Sequence, residues 1–225
     1  MGVRHFLTLT DVSAAELNGL IQRAIELKRR HYAGDVYEPL KNKVLGMIFE
    51  KSSTRTRVSF EAAMTQFGGA AIFLSPRDTQ FGRGEPIEDT ARVLSRMVDA
   101  VMIRTFAQET VQRFAAYSRV PVINALTDRF HPCQLLADLL TIRERKGELA
   151  GLTVAFVGDG ACNMGHSWLL AGATAGLHVR VAAPVGHQPE ERYVARAREI
   201  GQETGATAEV MVDPEVAVRG ADIVV

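Results

Sequence analysis

The sequence predicts an α/β protein with two domains, each built on a parallel β-sheet. Short apolar runs that suit buried strands alternate with segments of helical period, which favours βαβ units with helices on the faces of a sheet. A chain of 225 residues is long enough for one large domain or two small ones. Because a new series of strand, glycine turn and helix begins near Gly151, we place the domains at residues 1–147 and 151–225.

A helix opens the first domain. Ser13 and Glu16 have the spacing of a capping box, and apolar residues follow at helical period to near Gly34. The next segments are predicted as strand, helix and strand, in the order KVLGMIFE, RVSFEAAMTQFGG and AAIFLS. The polar segment PRDTQFGRGEPIED follows them, and its length is typical of a functional loop.

The remaining segments continue the alternation. DTARVLSRMV predicts a helix, DAVMIRT and PVINAL predict strands, and HPCQLLADLLTIRERKG predicts a helix with Pro132 in its first turn. The second domain begins with the strand and glycine turn TVAFVGDG, followed by SWLLAGATAG, HVRVAAP, EERYVARAREIGQETG and ADIVV. Since the last run ends at Val225 on a core-type strand, we expect the second domain to be incomplete.

Composition limits the partners that the chain can have. Lys and Arg together number 26, as do Asp and Glu, so no overall positive charge exists to bind a nucleic acid. The two cysteines, Cys133 and Cys162, form no cluster with metal-ligand spacing, and we expect no metal and a reducing, cytoplasmic location. No apolar run reaches the length of a membrane span, and the N-terminal residues contain no export signal.

The segment FEKSSTRTR lies where a predicted strand passes into a helix. The N-terminus of a helix presents unpaired backbone N–H groups and a partial positive charge, which favour an anion. Arg55 and Arg57 can add planar donor groups, while Ser53, Thr54 and Thr56 supply hydroxyl donors. These residue types together predict a phosphate site, although the pattern lacks the glycines and the lysine of a Walker loop.

A structural interpretation of the same segment stays open. The residues from Ser52 to Thr54 can cap the helix, and Arg55 and Arg57 can form ion pairs with Glu50 and Glu61. The residue types alone do not decide between the two interpretations.

Other polar residues lie at the carboxyl ends of predicted strands, where ligands collect in an open parallel sheet. Arg104 ends DAVMIRT, and His131 and Gln134 lie at the next strand-to-helix junction. An arginine at a strand end is often solvated or ion-paired, and His131 can be a helix cap. In GDGACNMGHSW the glycine spacing does not fit a dinucleotide site, so Asn163 and His166 are candidates either for contacts with a small substrate or for loop hydrogen bonds.

Taken together, these motifs resemble the carbamoyltransferase family, which combines an S-T-R-T-R phosphate loop with a later H-P-x-Q motif. The segments FEKSSTRTR, GRGEPIEDTARVLSRMVD, HPCQLLADLLTI and GDGACNMGHSW are similar to the ornithine branch of that family. Aspartate-specific members typically have threonine in place of Cys133 and lysine in place of Gln80. The resemblance covers essentially the whole chain.

The resemblance implies a substrate for the first motif. The phosphate of carbamoyl phosphate would be bound by the hydroxyl and guanidinium groups of this motif, namely Ser53, Thr54, Arg55 and Thr56, with Arg57 also counted among the substrate-binding residues. Arg55 would act in catalysis as well, because it favours the departure of the phosphate.

The resemblance also assigns the other motifs. Arg104 and His131 would polarise the carbonyl oxygen as catalytic residues, and Gln134 would receive the carbamoyl NH2 group. Gln80 would reach the site of a neighbouring subunit, and Asn163 would contact the amino-acid substrate.

The implied reaction transfers the carbamoyl group to the side-chain amine of L-ornithine, giving L-citrulline and phosphate, in a homotrimer or a multiple of trimers. It needs no metal and no organic cofactor. Members of the family continue beyond the position of Val225 with segments that bind ornithine, so we expect little turnover from these 225 residues alone. Two alternatives stay open, namely a related transferase that uses putrescine or aspartate, and a non-catalytic module that binds carbamoyl phosphate.

Overall fold

A computed structural model describes residues 2–75 and 84–225. The chain forms two compact units, one from the described residues of 2–7 and 29–128 and the other from residues 8–28 and 129–225. Each unit contains a four-stranded parallel sheet within the described residues, which confirms the predicted parallel α/β class. A 3-10 turn, Leu9–Asp11, and the long helix α1, Ala14–Tyr32, precede the first sheet in the chain.

The first unit alternates strands and helices. Its elements, in chain order, are β1 Val44–Phe49, α2 Thr54–Gln66, β2 Ala70–Leu74, α3 Ile87–Leu94, β3 Ala100–Arg104, α4 Gln108–Tyr117 and β4 Val122–Leu126. The strand order is β2-β1-β3-β4, so β1 and β3 are central neighbours. Their register pairs Phe49 with Arg104 and brings both carboxyl ends to the same level of the sheet edge.

Both faces of this sheet are covered, as a parallel sheet requires. Alternate residues of the central strands point to opposite faces, so Ile48 and Ile103 pack with α3 and α4 while Met47 and Met102 pack on the other face with Met64 of α2. The sheet is therefore a rigid support for the polar residues that follow its strands.

A buried polar network secures the end of β4. Gln108 accepts hydrogen bonds from Thr127, at 2.7 Å, and from the side chain of Asn124, at 3.3 Å. The same Asn124 amide donates to the carbonyl of Leu7 at 2.9 Å, and Phe6 forms a parallel bridge with Ile123. Because buried polar groups cost free energy unless they are bonded, this network fixes the N-terminal segment and the end of β4 together.

The second unit repeats the architecture. Its sheet elements and helices are α5 Pro132–Lys146, β5 Thr153–Val157, α6 Asn163–Ala175, β6 His178–Ala182, α7 Glu191–Thr204, β7 Ala208–Met211, α8 Pro214–Val218 and β8 Ile223–Val224. The strand order is β7-β6-β5-β8. Helix α6 is buried along nearly its whole length, with Trp168 only 1% exposed, and Ala217 of α8 packs against Ala155 and Ala182 of the sheet.

A close approach between two glycines shapes the turn before α6. A Cβ atom added to Gly165 would overlap the carbonyl oxygen of Gly160, which belongs to the backbone and cannot turn aside. Glycine is therefore required at this position for the β5–α6 turn to close against the helix, and the closed turn places Asn163 at the first helical position.

Several elements differ from the predictions. Helix α2 begins at Thr54 and α6 at Asn163, both earlier than predicted, so the polar residues of both motifs lie in first helical turns. Helix α4, strand β7 and helix α8 were not predicted. The residue before α4, Ala107, makes no side-chain cap, and β7 is a four-residue strand, so neither has a strong signal. Asp213 does cap α8, ahead of Pro214.

The predicted domain boundary at residues 147–151 stays a prediction. The compact units group α5 with the second sheet because α5 packs against α6 and because the backbone N–H of His131 donates to the Ser167 hydroxyl at 2.9 Å.

We predict that Gly165→Ala lowers the free energy of unfolding by about 1–3 kcal/mol, since the new methyl group meets backbone atoms in a filled space. Urea denaturation followed by circular dichroism measures this change. The matched control is Gly19→Ala in α1, where no atom lies within 4 Å of the added carbon and stability should rise by about 0.5–1 kcal/mol. Equal stability of the Gly165→Ala variant and the parent protein would contradict the packing argument.

Candidate functional site

The β1–α2 junction combines a helix cap with a row of donors. Ser53 is the N-cap of α2, and its hydroxyl accepts from the Thr56 N–H at 3.3 Å and donates to the Thr56 hydroxyl at 3.0 Å. The capping interpretation is therefore correct for Ser53. However, the first turn of α2 contains no acidic residue, although acidic side chains usually occupy this position. The positive helix end faces no carboxylate of its own first turn.

Arg57 makes the ion pair that the structural interpretation expected. Its Nε atom lies 3.4 Å from Glu61 Oε2, one helical turn further along, and its guanidinium lies 3.9 Å from the centre of the Phe73 ring. These contacts hold Arg57 against the side of α2. Its role in substrate binding stays a prediction.

Arg55 and Arg104 behave differently from Arg57. Among the described residues, neither forms an ion pair with a carboxylate, and Glu50, the expected partner of Arg55, instead accepts a hydrogen bond from Thr105. Burial lowers the pKa of Arg104, and the positive charge of Arg55 lowers it further. Two like charges are thus held near each other at the edge of the first sheet, where an anion would relieve their repulsion.

The Arg104 side chain is fixed by the neighbouring strand. Its Nε atom donates to the carbonyl oxygen of Lys51 at 3.2 Å, and its own backbone carbonyl accepts from the Glu50 N–H at 2.9 Å. The terminal NH2 groups take no part in these bonds. Arg104 can therefore offer two parallel donors to a phosphate or carbonyl oxygen.

His131 occupies the N-cap position of α5, but its side chain makes no capping hydrogen bond. Capping by the imidazole, which the residue pattern left open, is therefore not observed. Its backbone N–H is bound to Ser167, which fixes the start of α5 against α6, and Pro132 occupies the first helical turn. The imidazole is only partly buried, so it can reach a ligand.

Gln134 lies one residue beyond Cys133 in the same first turn and is exposed. Its amide NH2 donates to Asp138 Oδ1 at 2.9 Å, one helical turn away. Burial raises the pKa of Asp138 above its usual value, and this hydrogen bond opposes the rise without cancelling it. Because Asp138 engages the nitrogen, the amide oxygen of Gln134 is directed elsewhere and can accept a hydrogen bond from a donor such as an NH2 group.

Cys133 lies in the first turn of α5 as a free thiol. Burial raises the pKa of its thiol to about 12, so the position at a helix start does not activate it. The neighbouring polar residues, and not the thiol, give this turn its chemistry.

The two candidate residues of the β5–α6 turn differ in their exposure to solvent. Asn163, partly exposed, is the first residue of α6, where it can contact a small molecule. His166 is only 1% exposed, and its Nε2 atom accepts from the Glu190 N–H at 3.2 Å while its ring lies 4.5 Å from that of Tyr193. His166 therefore makes the loop hydrogen bond that the sequence left open as its structural role.

Some predictions cannot be compared with geometry. Gln80 lies outside the described residues. Within residues 2–75 and 84–225, no group of three or more His, Cys, Asp or Glu side chains could hold a metal ion. No helix in the same part of the chain is both long enough and apolar enough to cross a bilayer.

A cavity of about 340 Å³ lies elsewhere in the second unit, and its lining includes Asp11, Thr174 and Arg196. None of the predicted site residues lines it.

Comparison with known proteins identifies both halves of the chain. Residues 4–144 match the family described as aspartate/ornithine carbamoyltransferase, carbamoyl-P binding domain, and residues 150–225 match its Asp/Orn binding domain.

Individual relatives agree with the family match. Over 225 residues, the chain is 60% identical to ornithine carbamoyltransferase from Methylococcus capsulatus, covering all of this chain and 72% of the relative. It is 56% identical over 224 residues to the anabolic ornithine carbamoyltransferase of Pseudomonas aeruginosa, covering 71% of that protein. The solved ornithine carbamoyltransferase from Pyrococcus furiosus superposes with a TM-score of 0.96 at 45% identity, over 99% of this chain and 71% of that one.

We predict that His166 makes stability depend on pH. Burial lowers the pKa of His166 below 6.5; the Glu190 charge and a backbone hydrogen bond with Arg129 oppose this shift, and the Arg192 and Arg129 charges add to it. The unfolded chain then binds the proton more readily, so the free energy of unfolding falls as the pH drops from about 6.5 through the lowered pKa of the folded state.

The measurement is urea unfolding of the parent and of His166→Gln between pH 7.5 and 5. Because other groups titrate in both proteins, the difference between them isolates His166, and the parent should lose more stability on acidification. Parallel pH profiles would mean that the imidazole is not held neutral by its surroundings.

Proposed function

The chain belongs to the aspartate/ornithine carbamoyltransferase family, and on that premise we propose that it transfers the carbamoyl group of carbamoyl phosphate to the side-chain amine of L-ornithine, forming L-citrulline and phosphate. The observation that carries this proposal is the pair Arg55 and Arg104, which are close enough for one charge to lower the pKa of the other and which lack a carboxylate partner among the described residues. Such a pair is suited to a phosphate that also carries a carbonyl group.

The phosphate is assigned to the N-terminus of α2. The helix end supplies backbone N–H groups, Arg55 supplies a charge, and the hydroxyls of Ser53, Thr54 and Thr56 supply further donors. Arg57 stays in the predicted binding set, although its guanidinium is bound to Glu61 in this structure. Cationic donors stabilise the phosphate as it gains the electron pair of the breaking C–O bond.

The carbamoyl group is assigned to the remaining donors. Arg104 and His131, with Thr56, bind the carbonyl oxygen, where negative charge develops as the ornithine amine attacks the carbon. Gln134 accepts a hydrogen bond from the carbamoyl NH2 group through the amide oxygen that Asp138 leaves available. Asn163 contacts ornithine, and the amine loses a proton to the departing phosphate as the C–N bond forms and the C–O bond breaks.

No step in this reaction requires an electron carrier or a covalent intermediate with the protein. The protein holds two substrates in reacting geometry, which can remove up to about 7–11 kcal/mol from a bimolecular barrier. Donors already in place for the charged oxygen add further stabilisation, and each such donor contributes about 3–4 kcal/mol in well-studied cases.

The assembly and location are also proposed from the family. We assign the protein to a homotrimer or a multiple of trimers, with Gln80 entering the site of a neighbouring subunit, and to arginine metabolism in the cytoplasm. Both cysteines are free thiols, which agrees with a reducing compartment.

We expect citrulline to form from carbamoyl phosphate and ornithine in the presence of the full-length protein, measured colorimetrically, with aspartate and putrescine as competing acceptors. Product from aspartate or putrescine without citrulline would replace the proposed activity with that of a related transferase. Carbamoyl phosphate binding by calorimetry, without any product, would favour the non-catalytic module instead.

We also expect Arg55→Ala to weaken carbamoyl phosphate binding by roughly 10- to 150-fold, since a hydrogen bond to a charged group contributes about 1.5–3 kcal/mol. Calorimetric titration of the folded variant measures the change. Arg23→Ala is the control, because Arg23 is also on a helix surface but pairs with Glu26 at 2.6 Å and belongs to the second unit. Unchanged affinity of Arg55→Ala for carbamoyl phosphate would remove Arg55 from the phosphate site.

A further inference from the structure

A buried hydrogen bond joins the ends of the two central strands of the first unit. Thr105, which is 1% exposed and directly follows Arg104, donates its hydroxyl proton to Glu50 Oε2. Glu50 directly follows β1, and the backbone N–H of Thr105 donates to the carbonyl of Leu126, at the end of β4, at 3.0 Å. Thr105 therefore links the ends of three neighbouring strands.

Two further bonds tie the same strand ends around Arg104. The Glu50 N–H donates to the Arg104 carbonyl at 2.9 Å, and Arg104 Nε donates to the Lys51 carbonyl at 3.2 Å. Together with the Thr105–Glu50 bond they close a ring of contacts between residues 50–51 and 104–105. We call this set of three hydrogen bonds the strand-end clasp.

Lys51 extends the clasp to the end of β4. Its Nζ atom lies 3.4 Å from Asp128 Oδ1 and 5.4 Å from the centre of the Phe106 ring, while the Asp128 N–H donates to the Phe106 carbonyl at 2.8 Å. These groups are exposed, so the ion pair itself contributes little stability. Its effect is to limit the positions that the residue before Ser52 can take.

The carboxylate of Glu50 is not used to neutralise the site. Among the described residues, Glu50 forms no ion pair with Arg55 or Arg104, and it is not among the groups that alter the Arg104 pKa. A carboxylate beside a positive site that binds a buried threonine instead of an arginine leaves both guanidinium groups available. The Glu50 carboxylate is therefore suited to fixing the geometry of the strand ends and not to neutralising the arginines.

We propose that Glu50 and Thr105 are positioning residues that hold the Arg104 guanidinium and the start of the phosphate-binding segment at a fixed separation, so that both bind one carbamoyl phosphate. The proposal rests on the proposed function and adds two residues that do not touch the substrate. An arginine side chain has several rotatable bonds, and fixing it before binding reduces the entropy that the ligand must offset. Without the clasp, the Arg104 guanidinium keeps its charge, but the side chain is no longer held in one orientation.

The variant that tests this is Thr105→Val, which keeps the shape of the side chain and removes the hydroxyl donor. Because displacement of a binding group by about 1 Å can cost on the order of 100-fold, we expect the dissociation constant for carbamoyl phosphate to rise by roughly tenfold or more. Thr105→Ser keeps a hydroxyl donor, so its dissociation constant for carbamoyl phosphate should lie within about threefold of the parent value. Isothermal titration of each variant, with carbamoyl phosphate and with inorganic phosphate, measures these dissociation constants.

A purely structural role predicts a different pattern. Thr174→Val is the matched control, since Thr174 is 4% exposed, lies in the second unit and donates its hydroxyl to the Leu170 carbonyl at 2.9 Å. Both valine variants should melt at lower temperature than the parent, but only Thr105→Val should lose affinity. Equal affinity of Thr105→Val and Thr174→Val for carbamoyl phosphate would overturn the proposal.

A second pair of variants covers the case in which Thr105→Val does not fold. Glu50→Gln keeps an acceptor oxygen for Thr105, whereas Glu50→Ala removes it, so only the alanine variant should bind carbamoyl phosphate about tenfold more weakly. Equal weakening in both would assign the effect to the charge of Glu50 and refute the clasp. A parent protein that does not bind carbamoyl phosphate at all would refute the proposed function itself, which is a separate outcome.

Discussion

The parallel pairing of β1 with β3 is the constraint on which the candidate site of the first unit depends. Parallel strands end on the same edge of a sheet, and the register that pairs Phe49 with Arg104 makes the next residues of both strands neighbours. Arg104 thus comes to lie beside the segment that leads into α2, although it follows Thr54 by 50 positions in the chain. The hydrogen bonds among Glu50, Lys51, Arg104 and Thr105 follow from that register, and the buried sheet beneath keeps it from slipping.

This geometry places like charges where they are unfavourable in the free protein. Arg55 and Arg104 repel each other, and partial burial removes some of the water that would screen Arg104. Sites that bind a charged ligand often sacrifice stability in this way, because the ligand later supplies the missing interaction. The same reasoning separates Arg55 from Arg57, since Arg57 already has Glu61 and Phe73 as partners and offers less to an incoming anion.

Much of this could be predicted from sequence because it is local. The strand-to-helix junctions, the hydroxyls and arginines of the first motif, and the His131–Gln134 turn are all visible in short segments. The strand-end clasp was not predictable in the same way, because Glu50 and Thr105 meet only through the register of two strands 55 residues apart. Helix α4 was missed since Ala107 provides no capping signal. The sequence left open whether His166 contacts a substrate or makes a loop hydrogen bond, because burial cannot be read from one residue.

The central claim is that Arg55 and Arg104 are held together for the sake of one anion. The free energy of unfolding of Arg55→Gln at low ionic strength, with and without saturating carbamoyl phosphate, tests it most directly. The account predicts a variant at least as stable as the parent without ligand, because repulsion is relieved, and one that carbamoyl phosphate stabilises far less than it stabilises the parent. A variant that is less stable when free and equally stabilised by carbamoyl phosphate would contradict it.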